Sequence, residues 1–149
     1  MKTKFLIYTL LCLQFSSIAD TLAQTNESPV RITFSNIRNN KGSLRLGIFK
    51  TQEEFESEQP FKRISIPKIE LNNNNLTALI NLPDGTYGIS VLDDENNNTK
   101  MDYNMVRMPK EGFGFSNYYH TGFSKPKLNQ FVFTVNKGSI QIHCKMRYI

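Results

Sequence analysis

Apolar residues recur at every second position in seven short stretches of this chain, and that period restricts the fold more than any other feature. Val30, Ile32 and Phe34 alternate with Arg31 and Thr33. Leu44, Leu46 and Ile48 repeat the pattern, then Ile64 and Ile66, then Leu76, Ala78, Ile80 and Leu82. Tyr87, Ile89 and Val91 follow, then Phe131, Phe133 and Val135, and finally Ile140, Ile142, Cys144, Met146 and Tyr148. Successive side chains of a strand point to opposite faces, so each stretch reads as a strand with one buried face. No segment carries a 3.6-residue apolar stripe. Residues 51–58 predict one short helix, because Thr51 and Glu54 have the spacing of a capping box. Seven short strands separated by turn residues predict an all-β sandwich. Its inward set includes Val30, Ile32, Leu46, Ile80, Tyr87, Ile89, Phe133, Ile142 and Cys144. Pro67 marks a strand edge or bulge, since proline cannot donate to a ladder. The Asn72–Asn75 run fits a hairpin turn between two strands, and Pro83-Asp84-Gly85 a tight turn that launches the next strand.

The first residues follow a different logic. Lys2 and Lys4 precede an apolar run over residues 5–13 that only Thr9 interrupts, and small residues close the stretch near Ala23. This is the layout of a secretory signal peptide over residues 1–23, which leaves a single domain over residues 24–149. An uncleaved N-terminal anchor is the alternative. Export implies a periplasmic or extracellular protein with no transmembrane segment after cleavage. It also removes Cys12, so Cys144 remains without an intrachain partner and packing must supply the stability. Loss of Lys2, Lys4 and Asp20 lowers the formal charge from +5 to +4. The cations are scattered, which argues against a nucleic-acid partner.

Special chemistry is expected between residues 93 and 130, where strand periodicity lapses and aromatic residues are dense. Oxygen-bearing side chains fall at Asp94, Asn96, Asn98 and Asp102, with the Lys100 carbonyl between the last two. Such spacing can turn several hard oxygen donors toward one calcium ion. The match to a calcium loop is partial: Thr99 stands where glycine is usual, and Met105 stands where a bidentate acid is usual. The alternative is a turn whose Asn and Asp side chains bond their own backbone. Downstream, Glu111, Phe113, Phe115, Tyr118, Tyr119 and His120 could line a ligand-facing aromatic loop, or Phe113 and Phe115 could pin it as a small satellite core. An enzyme would have to draw on Asp102, Glu111 and His120; the two histidines, His120 and His143, lack the spacing of a zinc site.

Three runs together resemble a known family. They are Leu82-Pro83-Asp84-Gly85-Thr86-Tyr87, Asp94-Glu95-Asn96 through Asp102, and Pro109-Lys110-Glu111-Gly112-Phe113-Gly114-Phe115-Ser116-Asn117. In this order they resemble the bacterial DUF2141 family of uncharacterised exported proteins, from about Val30 to Tyr148. The resemblance implies a transthyretin-like or immunoglobulin-like sandwich and export. It implies no established activity. Members usually read His-Asp-Glu-Asn-Gly-Asn-Gly across the acidic loop, where this chain has Asp93 for the histidine and Asn97 and Thr99 for the glycines. The expected function is a non-enzymatic binding or accessory module with a weak calcium loop. Its alternative is a metal-free envelope scaffold that docks on an envelope or extracellular protein or a glycan through the aromatic loop.

Overall fold

The computed structural model describes residues 27–149. The predicted signal peptide over residues 1–23 and the first residues of the predicted domain lie outside that range. Eight strands form in chain order: β1 (Glu27–Ser35), β2 (Ser43–Phe49), β3 (Lys62–Pro67), β4 (Leu76–Pro83), β5 (Gly85–Asp94), β6 (Gly112–Phe115), β7 (Val132–Val135) and β8 (Ile140–Lys145). One helical turn and a half, α1 (Gln52–Glu56), follows β2. Its capping box is present: the Glu54 N–H donates to Thr51 Oγ1 at 3.2 Å, and Glu54 Oε2 accepts from the Thr51 N–H at 3.4 Å.

The strands build two sheets. One has the order β4-β1-β8, with β1 antiparallel to β4 and parallel to β8. The other runs β3-β2-β5, and beyond β5 its edge is shared. β7 pairs with the first half of β5 and β6 with the second. Ser116 bridges the handover. Its Oγ accepts the Ile89 N–H at 2.9 Å and donates to the Phe131 carbonyl at 2.5 Å, so neither buried backbone group is left unpaired.

The chain is therefore an all-β sandwich, and every residue of the predicted inward set is buried in its main core. Two expectations need correction. The Asn72–Asn75 run is a tight turn, with Asn73 and Asn74 both left-handed and an Asn72–Asn75 bridge across it, but it joins no hairpin. β3 and β4 are edges of opposite sheets, and the turn lets the chain cross between them. Pro67 ends the edge strand β3, as its missing donor requires.

The second correction is β6, which sits inside the stretch predicted to lack strands. Its sequence is Gly-Phe-Gly-Phe, so one face has no side chains and shows no apolar alternation. That bare face is needed. A Cβ on Gly112 would lie 2.3 Å from the Tyr148 ring, and Phe113 and Arg147 exchange backbone hydrogen bonds beside it. The C-terminal segment thus crosses β6 and ties the two sheets together on that side. The other face of β6 sends Phe113 and Phe115 to a second cluster with Phe49, Phe55, Leu128 and Phe131.

Burial raises the Cys144 thiol from an ordinary 9.0 to about 12. A group whose folded pKa is raised gives its full stability below its unfolded value, and that contribution is lost as pH climbs toward the folded value. Tyr148 is raised too, by burial first and then by its bond to the Asp93 carboxylate, and it acts in the same direction. Urea midpoints should hold steady up to about pH 8.5 and decline above it, and Cys144→Ala should flatten part of the decline. Native Cys144 should also resist a thiol reagent that labels the unfolded chain quickly. A pH-independent midpoint, or fast labelling of the native protein, contradicts the burial.

Candidate functional site

β5 ends in two consecutive acids whose side chains take opposite faces. Asp94 turns into the following loop. Its Oδ1 accepts the Asn98 N–H at 3.0 Å and its Oδ2 the Thr99 N–H at 2.9 Å, while Arg45 on the neighbouring β2 approaches within 3.8 Å. Asn96 Oδ1 accepts the same Asn98 N–H at 3.0 Å, and Asn98 Oδ1 accepts the Lys100 N–H at 2.9 Å. The amide groups of Asn96 and Asn98 donate to the two oxygens of Asp102, at 2.7 and 3.1 Å. Asp94, Asn96, Asn98 and Asp102 thus form one hydrogen-bonded ring, which Lys100 joins through its N–H.

The loop is tightly held. Gly42, at φ +69°, lies so close that a Cβ there would sit 1.9 Å from the Asp94 carbonyl oxygen. The loop's own backbone is left-handed at Asn97 (φ 58°) and Thr99 (φ 72°), the two positions where the resemblance puts glycine. Asn tolerates this region, whereas a β-branched residue is strained in it. Glu111 straps the loop from below, its two oxygens accepting the N–H groups of Glu95 at 3.1 Å and Asp102 at 3.2 Å.

Asp93 continues the inward phase of Tyr87, Ile89 and Val91, so an acid enters the core face. Its Oδ1 meets Lys68 Nζ at 2.5 Å and its Oδ2 accepts the Tyr148 hydroxyl at 2.6 Å. Both side chains of the Lys68–Asp93 pair are fully buried. Over the Tyr148 ring lies the Arg38 guanidinium, 4.7 Å from its centroid, and Arg38 also binds Glu95 at 2.5 Å. Burial opposes the Glu95 charge, but the bond from Arg38 and a further one from Asn39 outweigh it and hold the Glu95 carboxyl below its ordinary pKa. The sequence reading missed this network. The one signal for it was the strand phase, which aims Asp93 inward and so demands a buried cation.

The aromatic loop divides. Glu111 and Phe115 are buried, Glu111 turned to the acidic loop and Phe115 to the second aromatic cluster. Phe113 and Tyr118 pack against the second aromatic cluster, where Phe115 and Phe131 stand 4.8 Å apart. Tyr119 is exposed. His120 Nε2 bonds the Ser124 carbonyl at 2.7 Å, its Nδ1 lies 3.5 Å from the Tyr118 hydroxyl, and no hydrogen bond joins it to Asp102 or Glu111. Among the described residues, no three His, Cys, Asp or Glu side chains gather as a metal-binding group.

The strain at Thr99 is testable. Glycine there relieves a left-handed cost of roughly 1–2 kcal/mol and gives part of it back as unfolded-chain entropy. Thr99→Gly should therefore raise stability by about 0.5–1 kcal/mol in urea denaturation, and Thr99→Ala should give no such gain. A loss on Thr99→Gly would mean that the threonine side chain holds the loop.

No curated protein and no solved structure matches this chain. One family profile does, described as an uncharacterized protein conserved in bacteria (DUF2141), over residues 32–143. That span covers about three quarters of the chain and takes in both sheets, the acidic loop and β6. The chain belongs to the DUF2141 family.

Proposed function

We propose that this protein is an exported, non-enzymatic binding module whose working end is the loop region that follows β5, with the Asp94–Asp102 stretch as a weak calcium site that sets the loop's shape. The observation that carries this reading is the ring of Asp94, Asn96, Asn98 and Asp102, joined by direct hydrogen bonds at the end of a rigid strand. That linkage supports the reading because it sets the four side chains beside one another, where one ion would need only short movements to draw their oxygens together. Calcium would replace the turn bonds with metal–oxygen bonds, and the Asn96 and Asn98 amides would turn their oxygens toward it. The formal ligand charge is two carboxylates, and Arg45 beside Asp94 opposes a cation. Both features favour the weak regime, ~10⁻⁴ to 10⁻³ M, common in extracellular modules. Against an enzyme stands the state of its candidate residues: Glu111, Asp102 and His120 already spend their polar atoms within the protein.

A second reading, docking on a glycan or an envelope protein without metal, draws on Tyr119 and Phe123, which are exposed beside Lys145 and Arg147. Calcium separates the two. At ten times its dissociation constant, an ion that binds only the folded state adds about 1.4 kcal/mol of stability. Millimolar calcium should accordingly raise the melting temperature, Asp94→Asn should abolish the increment, and magnesium should substitute poorly because it demands a compact octahedron. A melting curve unmoved by several millimolar calcium, with no heat on titration, leaves the ring as a turn and favours the second reading. Export is checked separately: N-terminal sequencing of the exported protein should begin at Gln24, and an intact Met1 there refutes cleavage.

A further inference from the structure

Between the acidic ring and β6 the chain makes a small projecting turn. Tyr103 and Pro109 bridge its base. Inside it, Asn104 is the hub: its Oδ1 accepts the N–H groups of Val106 at 3.0 Å and Met108 at 2.9 Å. Its carbonyl accepts the Arg107 N–H, and its own N–H donates to the Met108 carbonyl. The backbone donors of residues 104, 106, 107 and 108 are thus satisfied within the turn. Yet its side chains touch almost nothing. Met105 is 102% exposed, Val106 74% and Tyr103 59%. Lys100, Arg107 and Lys110 surround them, all exposed, while the nearby acids Asp102 and Glu111 are already engaged in hydrogen bonds.

We propose that this turn is a membrane-docking tip, which sinks Met105 and Val106 into the interface of an anionic lipid bilayer while Lys100, Arg107 and Lys110 engage the headgroups. This names the partner of the binding module proposed above and rests on that reading. Three observations favour lipid over a protein pocket. A protein hot spot needs a surrounding ring of surface that excludes water, and a convex tip with five consecutive exposed residues offers none. Burying backbone in an apolar medium costs less when its hydrogen bonds come with it, and this turn pairs the N–H groups of residues 104, 106, 107 and 108 internally. The exposed charge beside the apolar pair is of one sign and complements an anionic leaflet. Tyr103 at the base occupies the headgroup level, where amphipathic rings settle. The contact proposed is peripheral, made by the turn alone; among the described residues no helix is long and apolar enough to cross a membrane.

The test is co-sedimentation of the full-length protein with vesicles of phosphatidylcholine alone or with phosphatidylglycerol at about three in ten lipids, a proportion that gives a negative surface. Comparing the parent with variants of the same full-length chain cancels whatever residues 1–26 contribute. The parent should bind the anionic vesicles at least about tenfold better than the neutral ones, and salt should weaken the binding. Met105→Asp with Val106→Asp should reduce binding about tenfold or more, and Arg107→Ala with Lys110→Ala should reduce it severalfold and blunt the salt dependence. Melting temperatures should not move, because these side chains are exposed. Equal binding by parent and tip variants, or no binding at all, overturns the proposal. The calcium-dependent melting shift is read on protein without lipid. A positive shift with a failed lipid assay therefore removes the membrane partner and leaves the calcium reading standing, and the converse result removes calcium alone.

Discussion

Asp93 has both carboxylate oxygens committed inside the protein, and the shape of the loop end depends on that. Lys68 reaches one oxygen from the short 3-10 turn after β3, and Tyr148 reaches the other from the C-terminal segment. Three distant parts of the chain meet at the last residues of β5. A buried ion pair gains stability only when its remaining polar atoms are also satisfied, and losing one partner costs about 3–5 kcal/mol because the other charge is stranded. Here the conditions are met. Tyr148 supplies the second bond to Asp93, Asn39 Oδ1 lies 3.5 Å from Lys68 Nζ, and among the described residues no buried side-chain nitrogen or oxygen lacks a partner. The pair therefore acts as a clamp. It fixes where β5 stops, and hence where Asp94 points.

Beyond β5 the chain is held by side chains in place of a ladder. Asp94, Asn96 and Asn98 each accept a backbone N–H two to five residues ahead, Asp102 collects two amides, and Glu111 binds two N–H groups across the base. This arrangement suits a loop that must keep a shape without belonging to a sheet. It also explains how so long an excursion ends in an exposed apolar turn without collapsing onto the sandwich. Each level orders the next: the buried clamp holds the strand end, the strand end holds the ring, and the ring with Glu111 sets the base of the projecting turn.

Most of the sandwich was legible because strand burial writes itself as alternation. Val30, Ile32, Ile89 and Ile142 could be placed inward from their neighbours alone. The capping box of α1 was legible for a similar reason, since both partners lie within four residues. β6 was not legible. Its alternation is glycine against phenylalanine, and a missing side chain cannot register as an apolar position. The crossing of the Asn72–Asn75 turn was hidden because a turn's sequence fixes its own dihedrals but not which sheet receives the next strand. Of the candidate site, the spacing of oxygens suggested that Asp94, Asn96, Asn98 and Asp102 can turn toward one another, and hydrogen bonds link the four. It could not show what they bond, because an oxygen that accepts an N–H and one that binds an ion have the same residue signature.

Lys68 was hidden for a further reason, and it bears on how the acidic loop should be compared with its relatives. A lysine after Pro67 and before exposed Ile69 reads as surface, and its partner lies 25 residues away. Only the inward phase of Asp93 betrays it. The resemblance puts a histidine at that position. A histidine there would offer Lys68 no negative charge, and a protonated one would repel it, so the aspartate and the lysine form one physical unit. Asp93 therefore does not extend the ligand set of the loop beside it; its charge is spent inward. A cation at the proposed site would meet only Asp94 and Asp102 as charged members of the ring, against Arg45, in a loop whose left-handed backbone at Thr99 stores strain that glycine would not. Left-handed Asn97 and Thr99 leave this backbone less free than glycine would at the same two positions, and the ring holds only two carboxylates, so at the proposed site shape retention comes ahead of affinity.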